Sequence, residues 1–404
     1  MGKKARYSQI IFVMTIMLVI GILIVLPTGF ESDIYKDSIR VKTKVVEVDN
    51  STVIQTGIIK QGDQNLKVEI LKGKYKGDTY EAVNHLRGQM EFDKIFEVGD
   101  TALTVLDLGD DGEVLFANAI DHYRMDIELV LFIVFVAAMI AITGWTGVRA
   151  IMSFVFTVLM IWKILIPGFL KGYHPIVISM ESVIIISFVI IFLVAGFTKK
   201  GLIAFLGTCA GVVLTSVFAI TFGAAFKLHG AVIPFSESLL YSGYAYLNLT
   251  SIFIAGIFIA SSGAVMDVAM DIAAALDEIV QKKPDITTKE VIASGFTVSR
   301  AVLGTIVTTL LLAYSGGYTA LLMVFMAQGT PITNILNMTY VSSEILHTLV
   351  GSFGLVLVAP VTSIIGGIIL TSYSHKDFAV WPKKYFKALP ALTSIKRTQA
   401  TKGE

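Results

Sequence analysis

A membrane α-helical bundle of about eight spans, with a small external β-barrel-like domain inserted after the first span, is the fold class that three observations predict. The first is composition. Of 404 residues, 54% are hydrophobic and 16% charged, and the mean hydropathy is +0.74, which excludes an ordinary soluble globule. The second is spacing, because apolar runs of about one bilayer thickness recur along the chain. The third is the placement of charge. Nearly half of the Lys, Arg, Asp and Glu residues fall between Gly29 and Arg124, under a quarter of the chain, so this segment is built to meet water. The formal net charge is +1, and no basic stripe interleaved with aromatics occurs, which excludes nucleic acid as a partner. The bilayer is the partner that the composition demands, and a homo-oligomer or a paralogous membrane partner is left open.

Lys3, Lys4 and Arg6 precede an apolar run from Ile10 to Leu26 that exits through LPTGF without a small-x-small cleavage site. Residues 1–28 therefore read as an uncleaved signal-anchor span with its N-terminus in the cytoplasm, by the positive-inside rule. Residues 29–124 follow as the extracytoplasmic β domain. From Ser38 to Asp121 the runs VKTKVVEV, TVIQTGII, LKVEIL, TYEAV, TALTVLDL and EVLFANAI alternate between Gly-bearing turns, which predicts five or six short strands. The DDG turn lacks the alternating ligands and distal Glu of a calcium loop and reads as a hairpin.

Residues 125–372 read as a seven-span membrane domain. Arg149 and the pair Lys199 and Lys200 fall in short turns that the positive-inside rule puts in the cytoplasm, as it does the connector bearing Lys282, Lys283 and Lys289. The run beginning at Tyr318 is apolar for only about ten residues before Gln328, Gly329 and Pro331, too short to cross. A re-entrant or interfacial segment near 318–340 is expected there, which leaves the basic tail 373–404 in the cytoplasm beside the N-terminus.

No phosphate-binding loop, HExxH, GxSxG or dinucleotide fingerprint occurs, so no enzyme and no cofactor is expected. Cys209 stands alone in an apolar run and reads as a small buried hydrophobe. Chemistry is left to the polar residues inside spans. In GAVMDVAMDIAAALDEI, Asp267 and Asp271 are four residues apart and share one helix face with small residues. Acids at the aqueous end of a helix simply face water; acids deep in hydrocarbon mark an ion or proton path. Arg300 opens the following span, and Gly304, Thr305, Thr308 and Thr309 follow it. The expectation is an ion or proton site in which Arg300 faces Asp267 and Asp271. Glu181 and His347 are secondary candidates, and Lys163 is expected to snorkel to a span end.

The run GAVMDVAMDIAAALDEI, followed after a Lys- and Pro-bearing connector by SGFTVSRAVLGTIVTTLLLAYSGG, resembles the YibE/F family of bacterial multi-pass membrane proteins. The resemblance implies a location in the bacterial cell membrane and carries no established activity. A fainter similarity is to the membrane halves of the SecD/SecF export factors. That similarity rests on Asp271 and Asp277, six residues apart, and on Thr308 and Thr309 ahead of Gly316 and Gly317, and it implies proton-driven movement of a substrate. The reading is a proton- or cation-coupled transporter or export factor; the alternative is an accessory scaffold whose external domain binds an envelope partner.

Overall fold

The computed structural model describes residues 3–30 and 37–372, so the basic tail expected at 373–404 lies outside the described residues. Two compact units emerge, one of Gly29–Ile142 and one of Met1–Thr28 with Thr143–Glu404.

In the first unit, the alternation of the sequence becomes six strands: β1 (Ser38–Asp49), β2 (Ile54–Thr56), β3 (Ile59–Ile70), β4 (Thr79–Arg87), β5 (Thr101–Leu108) and β6 (Val114–His122). They pair in the order β1-β5-β6-β4-β3, and β1 closes onto β3. All pairings are antiparallel except β4 with β6. The short β2 is a flap folded back on β3. With the flap set aside, this is the strand order of the five-stranded OB barrel. Strand residues alternate as predicted, and the inward set, including Val45, Leu66, Val68, Leu106 and Ala119, forms one core with Phe96. The DDG turn joins β5 to β6 as a hairpin, with Gly112 at φ 75° where a side chain would be strained.

Closing the barrel buries polar groups that must then find partners. Gln64, wholly buried, donates to the Phe96 carbonyl at 3.0 Å and accepts from the Phe96 N–H at 3.0 Å. Its carbonyl oxygen also accepts from Asn84 at 3.0 Å, and Asn84 donates to the Lys94 carbonyl at 2.7 Å. Together they pin the segment between β4 and β5 across the barrel. This unit also includes α2 (Met125–Thr143), which the sequence reading placed with the membrane domain. Asp126 at its start pairs with Lys42 of β1.

Among the described residues, eight helices are long and apolar enough to cross a membrane. Besides α2 they are α1 (Lys3–Val25), α3 (Trp145–Leu170), α4 (Pro175–Val194), α5 (Lys199–Ala225), α6 (Leu249–Lys282), α7 (Thr288–Ala327) and α8 (Thr339–Ser372). Local signals end them. Asn248 caps α6 by accepting the Ser251 N–H at 2.9 Å, and Thr287 and Glu290 form a capping box at the start of α7. A five-residue connector between α6 and α7 forces the two to run antiparallel. The core of the second unit is the seam of α5, α6 and α8, where Val265, Val268, Ile272, Leu276, Leu355 and Val358 are buried. Lys163 reaches the end of α1, where it donates to the Leu26 carbonyl at 2.8 Å.

One element differs from expectation. The run from Tyr318 to Ala327 is not a separate re-entrant piece but the continuation of α7, which is 40 residues long. Gly316 and Gly317 keep helical backbone, and with no proline before Pro331 the hydrogen-bonded ladder continues. The helix stops at Gly329, whose φ is 64°, and only Ile332–Asn337 forms a short separate helix before α8.

The segment 37–123 expressed alone should be soluble, with a β-rich circular dichroism spectrum. Gln64→Ala should destabilise it by about 3 kcal/mol, because the Phe96 N–H and the Asn84 amide lose their acceptor; urea unfolding of both forms measures the difference.

Candidate functional site

Glycines set the register of the second unit. A Cβ at Gly211 would collide with Val265 and Val358, one at Gly207 with Thr362, and one at Gly354 with Thr215. Gly223 likewise abuts Ile254, Gly366 abuts Leu276, and Gly295 abuts Ser363. Reading levels across these pairs at 1.5 Å per residue places Asp267 at the height of Ala210, within about 3 Å of the midpoint of α5. Asp271 lies one turn nearer the Lys199 end, and Arg300 stands level with the two acids. The acids are therefore not at the aqueous end of their helix.

Depth is shared, but direction is not. Val265, Val268, Ile272 and Leu276 turn inward, and Asp267 and Asp271 lie on the opposite face of α6, both exposed. Arg300 is exposed on α7, and among the described residues no ion pair joins it to either acid. The facing arrangement expected from the sequence is thus absent within the chain. Its physical reason is the packing of α7, which turns Val291, Gly295 and Ser299 toward its neighbours and leaves Arg300 outside.

The remaining candidates scatter. Asp277, six residues from Asp271, is rotated about 240° around α6 and accepts from Gln281 at 2.8 Å. Thr308 and Thr309 are exposed on α7, and the Thr309 hydroxyl donates to its own helix at the Thr305 carbonyl, 3.3 Å away. Glu181 is exposed on α4. Of these, among the described residues, only His347 has an ion-pair contact.

His347 and Glu344 lie one turn apart on α8, with His347 Nδ1 3.8 Å from Glu344 Oε1 and each side chain 18% exposed. From α7 the Tyr314 ring stacks on the imidazole with centroids 4.3 Å apart. The Tyr318 hydroxyl faces the same carboxylate. The Tyr314 hydroxyl and His347 Nε2 are both buried without a hydrogen-bond partner. Beside them opens a cleft of about 230 Å³ lined by Leu311, Ser315, Tyr318, Val341, Glu344 and Thr348 among others. The cluster lies about 18 Å from the level of Asp267, toward the opposite end of the block. A Glu–His pair with two phenols can take up, hold and pass on a proton. Unsatisfied nitrogen and hydroxyl atoms leave room for a further hydrogen-bonding group. Among the described residues no His, Cys, Asp or Glu group suits a metal ion.

Sequence reasoning named His347 but missed Glu344, Tyr314 and Tyr318. The i, i+3 spacing of Glu344 and His347 was a usable signal. Tyr314 and Tyr318 carried none, since their partners come from another helix.

Comparison with known families decides the relationship. The family model described as YibE/F-like protein matches residues 131–372, and that described as YibE/F family N-terminal domain matches residues 33–122. The chain belongs to the YibE/F family. No curated protein and no solved structure matched it. The similarity to SecD/SecF finds no support in these matches. In this YibE/F protein the N-terminal family domain coincides with the barrel, and both site regions lie within residues 131–372, which the YibE/F-like model matches.

With the protein in lipid nanodiscs and Cys209 replaced by Ser, a cysteine at Asp277 should react with a membrane-impermeant maleimide, and one at Asp267 should not. Equal rates would put Asp267 in bulk water.

Proposed function

We propose that this YibE/F protein is a proton- or cation-coupled transporter or export factor, not an enzyme, in the bacterial cell membrane. The observation that carries the reading is the half-buried cluster of Glu344, His347, Tyr314 and Tyr318, in which two buried polar atoms have no partner among the described residues. By the same levels Glu344 stands opposite Ala225 at the end of α5, so the cluster lies where a proton enters the block from water. Coupling needs a group that changes charge in step with its partners at a point that protons can reach. A carboxylate within reach of an imidazole and the Tyr318 hydroxyl, on a seam between α7 and α8, meets that need. Both termini are proposed to be cytoplasmic and the barrel external, on the strength of Lys199, Lys200 and the basic connector.

The scaffold reading rests on a different observation. Asp267 and Asp271 lie on the outside of the helical block, not in a closed chamber. A scaffold would need neither those acids nor the cluster to titrate.

Profiling of small molecules and secreted proteins separates the two readings, using cells that lack the gene and carry either the wild-type chain or Glu344→Gln. Wild type should alter the distribution of at least one compound or protein, and a protonophore should abolish that change. Glu344→Gln should behave as the empty strain while matching wild type in expression and thermal stability. Full activity of Glu344→Gln would refute the transport reading. Sidedness has its own check: a reporter active only outside the cytoplasm should work when fused near Gly77 and be silent after Lys387.

A further inference from the structure

Along α6, Gly256, Ala260, Gly263, Asp267, Asp271 and Ala274 follow at spacings of four, three, four, four and three, which places them on one stripe. The stripe lies opposite the face that packs into the block. A Cβ on Gly256 or Gly263 would meet nothing within 4 Å, so a helix from outside can approach that backbone closely. Small residues alone would be a packing surface facing lipid. Two carboxylates near mid-depth are different, because hydrocarbon cannot solvate them.

What covers the stripe must bring positive charge at the same depth. Copies of one chain inserted the same way across a bilayer keep every residue at its own depth. A neutralising group on a second copy must therefore lie level with the acids, and Arg300 does. It is exposed, it has no ion-pair partner among the described residues, and it heads a second stripe on α7 with Gly304 and Thr308 at spacings of four. A Cβ on Gly304 also meets nothing within 4 Å. We propose that the α6 stripe of one copy packs against the α7 stripe of a neighbouring copy, with Arg300 of that neighbour paired to Asp267 and Asp271. A guanidinium suits this task because its fork can bridge two carboxylates. A two-fold contact of α6 on α6 would instead gather four carboxylates and no cation. The contact is therefore head-to-tail, between different surfaces of successive copies, and such contacts form a ring where the rotation closes and an open row where it does not.

The test uses the full chain in native membranes, with Cys209 replaced by Ser. Gly263→Cys on one tagged copy and Gly304→Cys on a second, differently tagged copy are co-expressed and oxidised. The expected product is a disulfide joining the two tags, with Gly263→Cys alone giving none. A link between two Gly263→Cys copies, a link within one chain when both cysteines share it, or no link at all would overturn the proposal. Native mass spectrometry from nanodiscs gives the second readout. Wild type should be oligomeric, Arg300→Asp should shift to monomer, and Arg300→Asp with both Asp267→Arg and Asp271→Arg should recover the oligomer. If Arg300→Asp fails to fold, the triple variant still decides: a monomeric triple variant, or a monomeric wild type, refutes the pairing.

Discussion

Close approach of three helix backbones is the constraint on which the membrane block depends. In lipid, apolar side chains gain little by leaving hydrocarbon for one another, so helices hold together by packing and hydrogen bonds. Here Gly207 and Gly211 of α5 and Gly354 of α8 admit Thr362, Val265 and Thr215 into contacts that any Cβ would block. Overfilling such a contact typically costs about 1–3 kcal/mol. The hydroxyls in the seam mostly return to their own helices, as Thr208 does to Ala204 at 2.8 Å and Thr215 to Gly211 at 2.8 Å. They add polarity without demanding a partner across the interface.

That seam decides where the ionisable residues go. Once Val265, Ile272 and Leu276 face α5 and α8, the four-residue step from Asp267 to Asp271 must run along the outside. On α8, the same commitment leaves His347 and Glu344 on the side that meets α7, where Tyr314 stacks on the imidazole. The two sets of polar groups meet the same problem differently. The Glu–His–Tyr cluster is satisfied in part by its own members, and Asp267 and Asp271 have no ion-pair partner among the described residues.

The barrel solves its polar problem by a third route. Closure of β1 onto β3 removes the open edges that a six-stranded sheet would expose, but it draws Gln64 and Asn84 inside. Their amides then serve as fixed points for the Phe96 and Lys94 backbone, which has no strand partner there. The buried amides thus hold an irregular segment as firmly as a ladder would.

How much of this is legible in the sequence depends on range. Apolar run length, strand alternation and the caps at Asn248 and Thr287 are local signals, and each is decided by residues within one or two turns of one another. For that reason the eight membrane-length helices, the barrel and the shared face of Asp267 and Asp271 follow from the sequence alone. The end of α7 was also local, but two opposing signals met there: Gly316 and Gly317 suggest a break, and an unbroken apolar run outlasts it. Which face of α6 turns inward is not local. It is chosen by the glycines of α5 and α8, far away in sequence, and with it went the expected pairing of Arg300 with the acids. The cluster around His347 was hidden for the same reason: stacking of Tyr314 on an imidazole 33 residues later requires the register of α7 on α8, and only packing of the tertiary structure supplies that register.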